Sequence, residues 1–472
     1  MANSVIITRI IEGGATLPQT PAAQRNFHNT CFIWNGAKKG EQRINYFGTD
    51  ISAITETFGS NSEVVKAAKT FLAGGFSGNT PKEFYVGNID VSNSELVATE
   101  AVYTLADNTL TISGSTMDKF SDVNPVYAVW TINGERVEAY GKYTNDSDHK
   151  LKLYATKTDV EEDNAIVLSE APYSLADSDE TSTAVVYKES FVDGLNEILD
   201  DSTVYHLILD NTFSEEQKKL FISLVETSST THAGYILDTS ADAKYKKKDT
   251  DENSLLHYAS NAKFSKTLVV VDDEDKKDEY KNASACSYYA QVNWTSSSPM
   301  GSLVFKTMAG ITPSKFSEGG IVSTSSAWDN VIAKNGNCYT DFSTVNAPAW
   351  YKGVAPNGNQ FGEIIAKDFV LYQCDYNLFY MLQSQSKLPM TEGGAVKIAQ
   401  TLSIGLQKLY ESTVIAGGTA EDGTVFPSNG YIVNVQVPTG ASKQQGIWEN
   451  VKAEALLSGT TTKITYQIQF KQ

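Results

Sequence analysis

The chain has 472 residues and 51.5 kDa, 41% apolar, 11% aromatic and 20% charged. That is enough apolar surface for roughly two to four domains of about 100–200 residues, and it excludes both a disulfide-stapled miniprotein and a wholly disordered chain. Its 56 acidic side chains outnumber 38 Lys and Arg, for a net charge of -18 and a pI near 4.8, a field that repels nucleic acid and anionic membranes. Cys31, Cys286, Cys338 and Cys374 are scattered without CxxC spacing, which argues against a disulfide framework or a thiolate zinc site and for a reducing compartment. MANSVIITRIIEGG lacks the basic-then-apolar pattern of a leader, and no window offers ~18 consecutive apolar residues. The expectation is a soluble chain made in the cytosol.

From the N-terminus, Ser4 to Ile11 is a β-branched run that breaks at Gly13-Gly14 and precedes Pro18 and Pro21, a strand on a tether. Residues 1–20 therefore read as an arm. TCFIW and INYF predict strands, and helices follow from Asp50 and from Asn61, the second stopped at Gly74-Gly75 before a strand at Glu83–Gly87. This is α/β grammar.

Between 91 and 180 helical periodicity disappears, and TLTIS, VYAVWTI, RVEAY, KLKLY and AIVLS recur as short strands, with Asn133-Gly134 placed for a two-residue hairpin. The segment holds seventeen acidic residues against six basic ones, -11 of the chain's -18. It reads as an inserted, solvent-facing acidic β domain. After Glu180 the alternation resumes: helix SFVDGLNEILD, strand VYHLILD, helix SEEQKKLFISLVE, strand HAGYILD, helix SLLHYASNA, strand TLVVVD and helix KKDEYKNASACSYYAQVNW. Residues 21–90 with 181–390 thus form a body with a parallel or mixed sheet covered by helices. Helices from about Gln360 to Ser386 and Thr391 to Ser412 follow, and strands YIVNVQV and TKITYQIQF end the chain. The fold class is mixed α/β with several domains, the last of them at 391–472, where six lysines balance six acidic residues.

In the final strand Ile464, Tyr466, Ile468 and Phe470 alternate strictly with polar residues. Such a strand either closes its own sheet or is lent to the open edge of another subunit. The tethered N-terminal strand has the same two options, and two detachable ends suggest a polymer link.

Reactive constellations are few. LILD, YILD and VVVD end in Asp210, Asp238 and Asp272, and carboxyl ends of parallel strands are where α/β enzymes collect magnesium ligands. The competing reading is that Asp is a common turn and cap residue in short loops, as the capping box Ser214 to Gln217 illustrates. His28, His149, His206, His232 and His257 form no metal or triad motif, and His206 and His232 fall in strands as packed residues. LAGGFSGNTPK lacks the ending of a phosphate loop. All four arginines, Arg9, Arg25, Arg43 and Arg136, lie in the first third, which disfavours phosphate and nucleic-acid sites. Lys246–Lys248 is a basic triplet in a loop and reads as a solvated face. No cofactor and no metal are expected.

The order of RINYFGTDISAITETFG, SEVVKAAKTFLAGG and PKEFYVGNID, then ASACSYYAQVNWTSSSPMGSLVFKTMAGITPSKF with its turn at Lys306 to Pro313, then GYIVNVQVP, a polar spacer, a short helical segment and a closing strand, resembles the contractile tail sheath proteins of bacteriophages. The resemblance spans most of the chain outside 91–180. In the family an arginine often precedes the last strand, whereas GASKQQGIWENVKAEALLSG offers only Lys443 and Lys452.

The resemblance implies a non-enzymatic structural polymer of the virion tail, assembled in the host cytoplasm. Its partners would be other copies of itself, the tail tube protein, and baseplate and tail terminator proteins, with neither nucleic acid nor membrane bound directly. It implies linker strands that complete a neighbour's sheet: Val5, Ile6, Ile7 and Ile10 at one end, and Ile464, Tyr466, Ile468 and Phe470 within 462–470 at the other. Gly13, Gly14, Ser458 and Gly459 would be hinges, 391–472 an inner domain against the tube, and the acidic insertion an outward projection. For the tube contact, Lys397 and Lys408 beside Gln400 and Gln407 are candidates; alternatively they are simply solvated on an amphipathic helix. The alternatives are a non-contractile tail or baseplate component, and a magnesium-dependent α/β hydrolase using Asp210, Asp238 and Asp272.

Overall fold

The computed structural model describes residues 26–36, 42–75, 79–91, 97–104, 109–112, 125–132, 135–145, 150–166, 181–187, 189–248, 253–294, 301–318, 321–322, 324–342 and 347–458. They fall into two compact units. One is drawn from residues up to Ile33, Ile44–Val86 and those from Leu199 onward; the other comprises Trp34–Arg43 and Gly87–Ile198.

The chain enters through β1 (Thr30–Asn35), β2 (Ile44–Tyr46), α1 (Ile51–Phe58), α2 (Glu63–Ala73) and β3 (Phe84–Ile89). Asp50 caps α1 by accepting from the Ala53 amide at 2.9 Å, and Ser62 caps α2 by accepting from Val65 at 3.3 Å. α2 buries Val64, Val65, Ala67, Ala68 and Phe71 on one face and stops at Gly74, as the sequence predicts.

The second unit carries β4 (Val97–Thr104), β5 (Thr109–Ile112), β6 (Val126–Ile132), β7 (Glu135–Asn145), β8 (Lys150–Tyr154), α3 (Lys157–Glu162), β9 (Thr181–Tyr187) and α4 (Phe191–Leu199). Its strands close an antiparallel barrel in the order β4-β5-β8-β7-β6-β9. β6 and β7 pair as far as Ile132 opposite Glu135, and the hairpin read at Asn133-Gly134 lies outside the described residues. β9 pairs with β4 on one side and β6 on the other, so the β module runs past the boundary read at 180. A barrel without this strand would leave two edges open. In the segment read as strand AIVLS, Ala165 and Ile166 are irregular and the remainder lies outside the described residues. Arg43 fastens this unit's early segment: it meets Glu197 at 2.6 Å and Glu189 at 2.8 Å, and donates to the Asn88 carbonyl at 2.8 Å.

The first unit resumes with β10 (His206–Leu209), α5 (Glu215–Thr227), β11 (Ala233–Asp238), α6 (Ala241–Tyr245), α7 (Leu255–Ala262) and β12 (Thr267–Val271). These strands join β1 in a six-stranded sheet of order β12-β11-β10-β1-β3-β2. β1, β10, β11 and β12 run parallel, with Thr30 opposite His206, His206 opposite Ala233, and Gly234 opposite Thr267. The parallel strands read as near-continuous apolar runs because both faces are covered.

The helix read as KKDEYKNASACSYYAQVNW is broken in two. Glu274–Glu279 is a 3-10 turn, Tyr280 adopts φ 50°, and α8 (Lys281–Ala290) starts afresh. Tyr280 cannot continue a right-handed helix from that conformation, and its hydroxyl is held by Asp210 at 2.9 Å and Glu63 at 2.7 Å. Every residue of α8 is buried. Lys281 lies fully buried with Asp272, Nζ to Oδ1 2.6 Å, and Ser314 Oγ donates to the same oxygen at 2.7 Å. Burial outweighs the attraction of Lys281 and raises the Asp272 pKa above the ordinary carboxylate range.

The remaining elements are β13 (Ser317–Glu318), β14 (Ile321–Val322), α9 (Thr324–Ala333), the β15 (Cys338–Phe342) and β16 (Ala347–Tyr351) antiparallel pair, α10 (Phe361–Ser384), α11 (Glu392–Glu411), β17 (Gly418–Thr419), β18 (Val425–Phe426), β19 (Tyr431–Val435), α12 (Gly440–Gln445) and β20 (Val451–Ala455). The 24 residues of α10 span about 36 Å. Its first half meets the sheet domain, where Asp368 accepts from the Tyr205 hydroxyl at 2.8 Å and Phe369 stacks on Trp294. Its far end, through Cys374, Leu378, Met381 and Leu382, packs with Ile398, Leu402, Val433, Val435, Trp448 and Val451. This packing unit begins before residue 391.

Replacing Lys281 by Met leaves Asp272 buried without its countercharge and is expected to cost about 3–5 kcal/mol in denaturant unfolding. Because the native state holds the Asp272 proton more tightly than the unfolded chain, that group's contribution is full below the unfolded carboxyl pKa and is lost as pH rises through the folded value. K281M raises the folded value further, so its melting temperature should fall over a wider pH range than that of the parent chain.

Candidate functional site

The three strand-end aspartates do not converge on a shared ligand. Asp210 accepts from the Thr212 amide at 3.1 Å and from Tyr280. Asp238 accepts from the amide and hydroxyl of Ser240, at 2.9 and 2.6 Å, and from the Leu256 amide at 2.8 Å. Asp272 holds Lys281. Each carboxylate therefore organises the loop or helix that follows its strand, the role Asp takes in short connections. Among the described residues no group of three His, Cys, Asp or Glu is placed to hold a metal ion, so the magnesium site read across the three strand ends is not assembled there. His206 and His232 are packed: a ring nitrogen of His206 lies 3.0 Å from the Phe27 carbonyl, and one of His232 lies 2.8 Å from the Leu199 carbonyl.

The surface that remains is in the C-terminal third. β19 and β20 pair antiparallel from Tyr431 opposite Ala455 to Val435 opposite Val451. Among the described residues they form a two-stranded sheet with no third strand. Val433, Val435 and Val451 face the α10/α11 cluster, while Ile432 is exposed. Beyond β20 the chain is strapped to the exit of α11: Ala416 donates to the Leu456 carbonyl at 3.0 Å, and the Ser458 amide donates to Val414 at 3.0 Å. Ser458 Oγ also donates to the carbonyls of Thr413 and Val414. Of the residues read as hinges, Ser458 is thus fixed by its hydrogen bonds. Gly13, Gly14 and Gly459 lie outside the described residues, as do the linker residues Val5, Ile6, Ile7, Ile10, Ile464, Tyr466, Ile468 and Phe470.

α11 presents two faces. Ala395, Ile398, Leu402, Leu406 and Leu409 are buried, and at 100° per residue the opposite arc carries Val396, Lys397, Gln400, Ile404 and Lys408, all exposed. Lys397 donates to Gln385 at 3.1 Å. Gln407, read as exposed, is half-buried; its carbonyl oxygen accepts from Tyr431 at 3.3 Å and its amide nitrogen donates to Glu411 at 3.2 Å. Sequence reading found the two lysines but not Val396 and Ile404, which are about 52% and 60% exposed; the helical phase set by Ile398, Leu402 and Leu409 places both outside.

No protein-family model and no curated protein matches the chain. Solved structures do. A chain of the cryo-EM structure of the anti-feeding prophage (AFP) baseplate is similar at a TM-score of 0.50 and 10% identity, covering 95% of this chain and 94% of that one. The sheath tail protein Lin1278 from Listeria innocua is similar at a TM-score of 0.46 and 11% identity, covering 88% and 89%. The likeness to the baseplate chain runs through nearly the whole of both, and the fold is shared. No helix among the described residues is long and apolar enough to cross a membrane.

Gly394 lets α11 start against the preceding loop: a Cβ there would lie 1.9 Å from the Pro389 carbonyl oxygen and 3.1 Å from Trp448. Gly394→Ala should lower stability by about 1–3 kcal/mol through this overpacking, measured by denaturant unfolding.

Proposed function

We propose that this chain is the subunit of a bacteriophage-type contractile tail sheath, a mechanical protein that polymerises around a tail tube and shortens to drive the tube through the host envelope during genome delivery. The observation that carries the reading is the β19/β20 pair. It packs one face on α11 and, among the described residues, has no partner on either edge. A strand of alternating Ile464, Tyr466, Ile468 and Phe470 from one copy suits such an edge in another, since main-chain hydrogen bonds supply affinity and alternate side chains supply specificity. The N-terminal run with Val5, Ile6, Ile7 and Ile10 suits the other edge. Gly13, Gly14 and Gly459 supply the turning points that keep subunits linked while rigid bodies rotate; Ser458 is the anchored side of its hinge.

In this reading the near-neutral C-terminal third faces the tube, the exposed α11 arc with Lys397 and Lys408 touches it, and the acidic barrel projects outward. The extended polymer is metastable, and interfaces gained on shortening supply the free energy. No nucleotide, metal or other cofactor takes part, and the chain catalyses no reaction. Its neighbours in the virion tail are copies of itself, the tube protein, the baseplate and the terminator, all assembled in the host cytoplasm. The structural likeness to a baseplate chain favours a second reading, a non-contractile baseplate or tail component. Electron microscopy of purified assemblies separates the two by whether the polymer shortens and widens.

Deleting Thr462–Gln472 should leave a folded, soluble protomer that forms no polymer, seen by negative-stain microscopy and sedimentation; long tubes from the truncated chain would contradict strand exchange. Lys397→Glu with Lys408→Glu should weaken co-sedimentation with the tube protein severalfold while leaving the unfolding free energy within about 0.5 kcal/mol of the parent.

A further inference from the structure

Around Lys281 the interior holds more than a buried salt bridge needs. Lys281 and Asp272 are both fully buried, with Nζ 2.6 Å from Oδ1. Ser314 Oγ donates to the same Oδ1 at 2.7 Å and accepts from Nζ at 3.0 Å. The second carboxyl oxygen, Oδ2, is buried with no hydrogen-bond partner among the described residues. A further acid stands close by, with Glu279 Oε2 at 4.0 Å from Nζ. Its carboxylate is fixed by the Thr312 amide at 2.7 Å and the Thr312 hydroxyl at 2.6 Å, and Lys276 reaches its Oε1 at 3.4 Å.

An amine, a carboxyl and a second carboxylate in one dry pocket are the two reactants and the proton carrier of amide formation. Contact at 2.6 Å brings Nζ to roughly 3–3.5 Å from Cγ, the separation of a near-attack pair, and groups held so reach effective concentrations of about 10⁵–10⁸ M. Low dielectric favours the neutral amine and the neutral carboxyl over their ions, and burial does raise the Asp272 carboxyl above its ordinary range in spite of Lys281. Glu279 goes the other way. Burial pushes it up, but the bonds from Thr312 and the charges of Lys281 and Lys276 outweigh this and hold it below the ordinary carboxylate value, so it is ionised and able to take a proton. The product also suits its surroundings, since an amide carries no charge into the interior, whereas the ion pair leaves two there.

We propose that Lys281 and Asp272 close into an isopeptide bond in the folded chain, with Glu279 as the proton carrier. The Nζ lone pair of the neutral amine attacks Cγ of the neutral carboxyl, and the Ser314 hydroxyl steadies the charge that develops on Oδ1. Glu279 takes one Nζ proton and passes it to Oδ2. The Cγ–Oδ2 bond then breaks, and Oδ2 leaves as water with that proton and the carboxyl's own. Nothing is oxidised or reduced, and Glu279 ends ionised as it began. The bond staples the end of β12 to the first residue of α8, and the ion pair described above is its open form, to which the pH dependence of the Asp272 carboxyl belongs. The assignment is independent of the sheath reading.

The intact mass of the full-length chain under denaturing conditions, followed by tryptic digestion, tests it. The expected mass is lower than that of the sequence by one water. Lys276 and Lys277 lie between the two residues, so trypsin cuts there, and in an open chain the peptide carrying Asp272 separates from the one carrying Lys281. The closed chain should yield the two peptides joined, with no cleavage after Lys281. The full sequence mass with the peptides apart overturns the proposal and leaves an ordinary ion pair. Loss of a water without joined peptides overturns it too, because it marks an aspartate cyclised on its own backbone. Glu279→Gln leaves Lys281 and Asp272 together but should slow closure by about a hundredfold or more, so the freshly purified variant, folded by circular dichroism, should be largely open. A folded E279Q chain as fully joined as the parent would remove Glu279 from its role; where the variant does not fold, the parent digest decides.

Discussion

The interior of the first unit is organised by one buried ion pair. Lys281 and Asp272 are both excluded from water, and their 2.6 Å contact joins the end of β12 to the first residue of a helix with no exposed position. An ion pair at such depth is poor value as stabilisation, because desolvation of both groups offsets most of the attraction. Its effect is on placement. A wholly buried α8 has no solvent-facing side, and its rotation is held by polar contacts: the ammonium seated between Asp272 and Ser314, with Asn282 donating to the Leu209 carbonyl and Ser287 to the Gly74 carbonyl. With α8 in place, Tyr280 reaches Asp210 and Glu63, and α2 and the sheet are tied to the same helix.

The rotation of α8 also governs what lies beyond it. Tyr289 packs on Phe361, the first residue of α10, and on Tyr235 of β11. α10 then carries that alignment to Met381 and the α11 cluster. One long continuous helix therefore couples the sheet to the α11 cluster.

Much of this was legible in the sequence where local chemistry decides the outcome. Asp50 and Asn61 mark helix starts to within a residue, Gly74-Gly75 a stop, and VYHLILD, HAGYILD and TLVVVD read directly as strands of a parallel or mixed sheet. The helix drawn through Tyr280 failed because the residue that breaks it is neither Gly nor Pro; a tertiary contact to Asp210 holds the left-handed backbone that no propensity foretells. The strand at β9 was not read, its residues falling on the body side of the boundary at 180, and β20 was missed because VKAEA lacks the β-branched density of a strand and owes its form to pairing with YIVNV. On the candidate surface, the lysines of α11 were visible as charges. The exposure of Val396 and Ile404 required knowing which side of the helix is covered.

The clasp at Ser458 bears on how the molecule would carry tension. A pull on the chain beyond Ser458 first meets its bonds to the carbonyls of Thr413 and Val414, immediately after α11 ends, rather than the β19/β20 ladder. Such stress would pass into the paired helices and along the rod of α10, leaving the small sheet zipped.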